Sequence, residues 1–100
     1  MNRDALLERW WQLTRVELPS AARARDWPVH LDHCFQRILL DNAVGDKWDL
    51  EIPAPAYRNA SDELLERAMA LGEGAIAGTE DLADLNRNSL AWLGKGEPGR

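Results

Sequence analysis

The densest group of chemically capable side chains lies in the run HLDHC at positions 30–34. On a helix, four side chains in and after this run fall within about 60° of arc, with His33 beside them: His30, Cys34, Arg37 and Asp41. A His and a Cys four residues apart can reach the same zinc ion. A thiolate nucleophile is the second chemistry open to the cluster, because a neighbouring cation favours the ionised form of a cysteine.

A structural role explains the same cluster without any chemistry. Cysteine is among the most buried residue types, and Arg37 and Asp41 form an ordinary i,i+4 pair on a helix. A zinc site needs at least a third protein ligand, yet the sequence offers no second cluster of His or Cys. We therefore predict neither a metal nor a cofactor. Five residues remain candidates for catalysis in an alternative function, a small enzyme or ligand-binding protein: His30, His33, Cys34, Arg37 and Asp41.

Three further polar residues interrupt otherwise apolar helix faces: Asn42, Asn86 and Ser89. A buried amide without a partner costs about 1–3 kcal/mol, so these groups need hydrogen bonds. The favoured interpretation is structural, because most buried polar side chains bond to backbone or to one another. The alternative is a polar ligand pocket between helices, where bundles commonly hold their ligands.

The elements that must position these residues are helices. Apolar residues recur at helical spacing in four stretches, at about 4–16, 28–44, 62–77 and 80–93. The predicted N-terminal signals are Asp4, Pro28, Ser61 and Thr79, and the predicted stops are Pro19, Gly45, Gly78 and Gly94. Small residues in the middle of the third stretch would let a neighbouring helix approach closely or leave room for a large Trp side chain: Ala68, Gly72 and Ala75. The sequence predicts one all-α domain over residues 1–94, a four-helix bundle-like fold, with residues 95–100 as a mobile tail.

Residues 46–60 break the helical spacing. Pro53 and Pro55 prevent a regular helix and favour an extended path, so we predict a long ordered crossover between the second and third helices. Trp48, Ile52 and Tyr57 would pin this segment to the core. Loops of this length are uncommon unless they bind something or cover a core.

The charge balance disfavours nucleic acid. The chain has 12 basic and 17 acidic side chains, for a net charge of −5, and neither half is basic. The one local basic group comprises Arg9, Arg15, Arg23 and Arg25. Phosphate-loop, dinucleotide and HExxH motifs are absent from the sequence. The sequence has a single cysteine, no signal-like start and no apolar run near 18 residues. We therefore expect a soluble cytoplasmic protein that is not bound to a membrane.

Several segments together resemble a group of small proteins sometimes labelled as related to GCN5-type N-acetyltransferases. They are the run 32–45 (DHCFQRILLDNAVG), Trp48, the run 53–58 (PAPAYR), and the pairs Leu85-Asn86 and Ser89-Leu90. The resemblance spans residues 27–94. Acetyltransferases of that class share a mixed α/β sheet and a glycine-rich loop that binds acetyl-CoA. This sequence has neither feature, so the resemblance implies no residue roles.

The tryptophan content points to a binding surface. The chain has five Trp residues, each able to bury about 150–250 Å², which is more than the core of one small domain readily hides. Exposed Trp is typical of binding hot spots. The leading hypothesis is therefore a small acidic binding or accessory protein, non-enzymatic, that meets a protein partner or itself, as a homodimer, through an aromatic-rich surface. The predicted contact residues are Trp11, Trp27, Tyr57 and Arg58.

Overall fold

The computed structural model describes residues 2–94, and every regular element in that range is helical. The all-α prediction is confirmed for this part of the chain, and the predicted mobile tail at 95–100 lies outside the described residues. The helices are α1 (Arg3–Gln12), α2 (Leu18–Arg25), α3 (Asp32–Val44), α4 (Ala56–Asn59), α5 (Asp62–Ala77) and α6 (Leu82–Trp92). None of them combines the length and the apolar character that crossing a lipid bilayer requires.

The first helical segment does not end at Pro19, as the sequence predicted, but continues to Arg25. A π-helical turn, Leu13–Glu17, joins α1 to α2, and in it the Leu18 N–H donates to the Leu13 carbonyl five residues earlier. The proline then falls in the first turn of α2, directly after the π-helical turn. The cap of α1 is Asn2 rather than Asp4, because the Asn2 side chain accepts from the Ala5 N–H at 2.8 Å.

Helix α3 begins at Asp32, so the prediction that it starts near Pro28 is wrong. Asp26 ends α2 in the left-handed conformation, with φ at +50°, and the chain reaches Leu31 without forming a helix. Trp27 packs edge-on against Phe35 of α3, with 5.9 Å between ring centroids. This contact places Trp27, at the start of the connection between α2 and α3, against the core.

The core lies around α3, which packs against α5, α6 and the π-helical turn. Its inward side chains are buried: Phe35, Ile38, Leu39, Leu40 and Ala43. Gly72 of α5 faces them, and a Cβ at this position would lie 2.9 Å from Leu13 Cδ2 and 3.0 Å from Leu39 Cδ1. The predicted close approach at the small residues of α5 is therefore confirmed at Gly72.

Helices α5 and α6 show what local signals can and cannot specify. Ser61 caps α5 by accepting from the Leu64 N–H at 3.1 Å, and Gly78 ends it with φ at +89°, both as predicted. Helix α6 instead takes Asp81 as its cap, which accepts from the N–H groups of Ala83 and Asp84. The predicted cap Thr79 lies two residues before Asp81, and both its N–H and its hydroxyl donate to the Gly74 carbonyl, so it belongs to the turn that ends α5.

The predicted crossover at 46–60 contains more structure than a loop. A 3₁₀ turn, Trp48–Leu50, is followed by the buried Ile52, an extended stretch through the two prolines, and the short helix α4. The Arg3 guanidinium donates to the Tyr57 carbonyl at 2.8 Å and pairs with Asp62 at 2.6 Å. These bonds secure α4 against α1 and so bring the crossover beside the first helix.

Candidate functional site

Four of the seven aromatic side chains line a single cavity of about 440 Å³. They are Trp10 and Trp11 from α1, Trp48 from the 3₁₀ turn, and Tyr57 from α4. Side chains of α3 form the opposite wall. We call this cavity the aromatic cleft. It exists because the 46–60 segment folds back onto α1, which the Arg3 bonds to α4 and α5 secure.

The two adjacent tryptophans of α1 play different parts in the cleft. Trp10 is 1% exposed and belongs to the core, so only a small edge of it reaches the cavity. Trp11 is half-buried and meets Tyr57 edge-on, with 5.3 Å between ring centroids. The guanidinium carbon of Arg15 lies 4.0 Å from the centre of the Trp11 ring, within the range of a cation–π contact. Trp11 is therefore held in place by both neighbours.

The Trp residues of the cleft have indole N–H groups without a described acceptor. Within residues 2–94, no Trp indole N–H donates a hydrogen bond, and no buried side-chain nitrogen or oxygen lacks a partner. Three of these Trp residues line the cleft: Trp10, Trp11 and Trp48. The walls of the cleft thus contain indole donors that no described residue uses.

Helix α3 supplies the polar wall of the cleft through His33, Gln36 and Arg37. The Gln36 amide nitrogen donates to Thr14 Oγ1 at 3.1 Å, and that hydroxyl donates to the Trp10 carbonyl at 2.9 Å. This chain of bonds fixes α3 relative to α1. No Asp or Glu is among the described residues of the wall, so Arg37 and the titratable His33 are its only sources of charge.

Behind this wall, Arg37 belongs to a buried polar network. Its Nη1 donates to Ser89 Oγ at 2.5 Å and its Nη2 to Asn86 Oδ1 at 3.3 Å. The Ser89 hydroxyl donates in turn to Asp41 Oδ2 at 2.5 Å, and the Trp48 backbone N–H donates to Asp41 Oδ1 at 2.9 Å. The network therefore links α3 and α6 and also positions the 3₁₀ turn that carries Trp48.

Burial raises the pKa of Asp41 above its ordinary value of 3.8. The carboxylate is 1% exposed, so its charged form has lost nearly all of its hydration. Hydrogen bonds from Ser89 and from the Trp48 backbone, together with the charge of Arg37, oppose this shift, and Asp49 reinforces it. Desolvation is the larger effect, so the folded protein holds a proton on Asp41 more readily than the unfolded chain does.

The catalytic cluster predicted on one helix face is not formed as a unit. His30 precedes α3 and is exposed, because the helix begins two residues later than it. His33 is exposed and lines the cleft, with its Nδ1 3.7 Å from Asp32 Oδ1. Cys34 is a half-buried free thiol. In residues 2–94 no three His, Cys, Asp or Glu side chains could hold a common metal ion.

The three predicted pocket residues lie at the contact between α3 and α6. Asn42 donates to the carbonyls of Ile38 at 2.8 Å and Leu85 at 2.9 Å, and it accepts from Asn88. Asn86 and Ser89 bind Arg37. None of the three lines the aromatic cleft. Their described hydrogen bonds are those of a helix–helix contact, which is the structural role the sequence favoured.

The remaining predicted contact residues have separate locations. Trp27 covers Phe35 and lies outside the cleft, and Arg58 is exposed with its carbonyl accepting from Arg3. No Trp side chain is fully exposed, since Trp10 is buried and the other four are half-buried. The prediction that five Trp residues have more surface than one small domain readily buries was therefore too strong. The chain covers much of its Trp surface in the cleft walls and against the rim of the core.

The predicted basic group of arginines is dispersed. Arg9 pairs with Glu17 at 2.6 Å and with Glu73 at 2.8 Å, and hydrogen bonds to these two carboxylates raise its pKa. Arg15 lies on Trp11, and Arg25 donates to the Ala75 carbonyl at 2.9 Å. The structure thus engages three of the four in contacts within the protein.

A second, shallower depression of about 460 Å³ between α2 and α5 contains no aromatic side chain.

Sequence reasoning missed Trp10, Gln36 and Trp48 as members of the site. Trp48 was expected only to pin the crossover to the core, and neither Trp10 nor Gln36 was singled out. The spacing of Gln36 and Leu40 beside Arg37 shows that they share one face of α3. Nothing in the local sequence shows that this face meets Trp48, because that contact depends on the path of the 46–60 segment.

The fold and the site define a small all-α protein with an aromatic cleft beside a buried polar network. Comparisons with known proteins add nothing to this description, since no family model, no curated protein and no solved structure matches the chain. The resemblance based on residues 27–94 stays a prediction. Function therefore follows from the geometry of the site.

Proposed function

We propose that this chain is a non-enzymatic binding or accessory protein that acts through the aromatic cleft. The observation that carries the proposal is the convergence of three of the five Trp residues and the only Tyr on one cavity. These residues come from three separate elements, so their meeting is a property of the fold. A volume of about 440 Å³ falls within the ordinary range of ligand sites.

The cleft is held ready for binding by bonds outside it. Gln36 and Thr14 fix α3 to α1, Asp41 fixes the turn that carries Trp48, and Arg3 fixes the helix that carries Tyr57. These bonds fix the relative positions of the elements that form the cleft, so little backbone freedom remains to be lost when a ligand enters. A preformed site of this kind loses less affinity to ordering than a flexible surface does.

The arrangement gives less support to the alternative, a small enzyme that uses the predicted catalytic residues. Asp41 is 1% exposed and cannot meet a substrate. The Ser89 hydroxyl is fully buried and donates to Asp41, so it is not presented as a nucleophile. His33 is the only one of the two histidines at the cleft, and within residues 2–94 no nucleophile bonds to it.

A neutral fluorescent probe, N-phenyl-1-naphthylamine, tests whether the cleft binds apolar molecules. We expect saturable binding of one probe per chain. The substitution Ala56→Leu enlarges a half-buried side chain in the cleft wall and should weaken binding at least about tenfold by filling the space. Ala70→Leu is the matched control, because Ala70 is exposed on α5 and lies outside the cleft. Equal affinity in both variants would overturn the proposal.

Self-association as a homodimer extends this proposal. Leu50 is 67% exposed in the same 3₁₀ turn that carries Trp48, and Tyr57 is 37% exposed on α4, so apolar surface flanks the cleft. We expect sedimentation equilibrium to show dimers that Leu50→Glu dissociates. Leu31→Glu, at an exposed apolar residue outside the cleft, should leave them intact. A strict monomer at high concentration would contradict self-association and leave the cleft proposal to the probe experiment.

A further inference from the structure

We propose that the natural ligand of the aromatic cleft is a small aromatic carboxylate, whose flat body stacks among the indoles and whose anionic group meets Arg37. This inference rests on the proposed function and names its ligand class. Three features of the cleft point to it: the unused hydrogen-bond donors, the sign of the charge in the wall, and the dimensions of the cavity.

Three residues of the cleft contain hydrogen-bond donors that the described protein leaves unused. The indoles of Trp10, Trp11 and Trp48 carry N–H groups that donate to no acceptor in residues 2–94. Indole is a donor only, so an acceptor on a ligand, or water, would complete its hydrogen bonding. A ligand with acceptor atoms can therefore use these groups.

Arg37 adds a positive charge to the same wall. Its guanidinium has five N–H donors, and the two described side-chain bonds go to neutral acceptors, Ser89 and Asn86. Arg37 forms no salt bridge within residues 2–94, whereas Arg3 and Arg9 each do. The Ser89 hydroxyl bonds to both Arg37 and Asp41, and the Asp41 carboxylate is buried. An arginine held in this way retains donors for a bidentate contact with a carboxylate.

The charge of the wall also decides against a cationic ligand. Aromatic side chains grouped around a cavity can hold a quaternary ammonium by cation–π attraction. Here Arg37 would repel such a cation, and no carboxylate in the described wall would offset that repulsion. The guanidinium of Arg15 already lies over the ring of Trp11. In a chain whose net charge is −5, a wall with an arginine and no acid is a local reversal of sign that favours an anion.

The dimensions of the cleft favour a free small molecule over a long peptide. A cavity of about 440 Å³ has the volume of an ordinary small-molecule site. Peptide grooves, in contrast, are extended surfaces that present several pockets or an open strand edge. The aromatic cleft is bounded on three sides by α1, α3 and the 46–60 segment. We therefore commit to a free aromatic acid as the occupant.

Three probes with the same naphthalene body test the ligand class: 2-naphthoate, 2-naphthamide and 2-naphthylmethylammonium. Binding is followed in the indole N–H region of the ¹H–¹⁵N spectrum, with the five signals assigned by Trp→Phe variants. We expect 2-naphthoate to shift the signals of Trp10, Trp11 and Trp48 and to bind at least about tenfold more tightly than the amide. Trp27 and Trp92 lie outside the cleft and are internal controls.

The substitution Arg37→Gln separates the charge from the shape of the cleft. It should reduce the affinity for 2-naphthoate about tenfold or more and change that for 2-naphthamide by less than about threefold. Should the variant fail to fold, the ranking of the three probes on the unaltered protein decides alone.

Each other outcome is informative. Amide or ammonium binding as tightly as the carboxylate would overturn the ligand class while leaving the cleft as a binding site. Absence of binding by all three probes and by N-phenyl-1-naphthylamine would overturn the proposed function as well. Preference for a peptide that ends in an aromatic residue with a free carboxylate, over 2-naphthoate, would overturn the commitment to a small molecule.

Discussion

The two sides of α3 use polar residues in opposite ways. Toward α6, the side chains of Asp41, Asn42 and Arg37 bond to partners on the facing helix or turn, and no buried polar side-chain atom in residues 2–94 is left without a partner. Toward the aromatic cleft, three Trp residues line a cavity, and their indole N–H groups bond to no acceptor in the described protein. Polar groups that bond within the protein specify how two helices pack together. Polar groups without a protein partner can instead bond to a ligand.

The difference arises between adjoining faces of one helix, α3. His33, Gln36, Arg37 and Leu40 follow the i, i+3, i+4, i+7 spacing of one helix face, and this face lines the cleft. Asp41 and Asn42 fall on the adjoining face, which meets α6. Arg37 belongs to both, since it lines the cleft and donates to α6. This residue is where a ligand in the cleft would contact the buried network.

The largest effect on stability should come from a substitution at a core residue of α3 that supports both of its sides. Phe35 is fully buried on α3 and packs against Trp27, so Phe35→Ala should lower the free energy of unfolding by about 3–5 kcal/mol. Denaturant titration followed by circular dichroism measures this loss. A loss below about 1 kcal/mol would contradict the central position of α3 on which the whole comparison depends.

A smaller loss should follow a change on the sealed side alone. Ser89→Ala removes the hydroxyl between Arg37 and Asp41, which leaves a buried carboxylate with one bond fewer and should cost about 1–3 kcal/mol. Ser20→Ala, on the exposed face of α2, is the matched control and should change stability by less than about 0.5 kcal/mol. Equal effects of the two substitutions would mean that the network contributes nothing specific.

The protonation of Asp41 gives the sealed side a pH dependence. Because burial raises its pKa above 3.8, the folded state binds this proton more tightly than the unfolded state does. The resulting stabilisation is fully present below the unfolded pKa and is lost as pH rises through the folded pKa. The stability of the wild type relative to Asp41→Asn should therefore fall as pH rises through this window.

Urea titrations of both proteins from below pH 3.8 to neutral pH would measure this difference. The contributions of the carboxylates that both proteins share cancel in the comparison. A relative stability that rose with pH would contradict the prediction, because it would mean that Asp41 is held ionised by Arg37 and Ser89 more strongly than burial opposes it.

Local chemistry made some elements of this fold predictable. The bounds of α5 follow from Ser61 and Gly78, since one accepts from a free helix N–H and the other adopts the left-handed conformation that ends a helix. The prediction that the first helix ends at Pro19 was wrong because it also rested on a local preference, that of proline to end a helix. Only the π-helical turn before it, whose place in the core brings Leu13 against Gly72, resolves that conflict.

The candidate site was less accessible to sequence reasoning than the fold. Arg37 and Asp41 could be placed on one helix and Ser89 on another, but the spacing does not show that a serine joins them. The aromatic cleft depends on Trp48 and Tyr57 returning to α1, a contact between residues more than 30 positions apart. Hydrophobic content predicts that Trp residues cluster, and the chain path determines which ones do.

The smallest effect on stability should come from the open side. Trp48 is half-buried, and its indole N–H bonds to no described acceptor, so Trp48→Phe should cost only about 1 kcal/mol or less. The backbone N–H that binds Asp41 is kept in this variant. Its effect on binding should be larger than its effect on folding, because a phenyl ring retains the stacking surface but removes a donor from the cleft. Trp92→Phe, at a half-buried Trp outside the cleft, supplies the comparison for both measurements. A Trp48→Phe variant that lost more stability than Ser89→Ala would show that the cleft wall, and not the polar network, holds α3 in place.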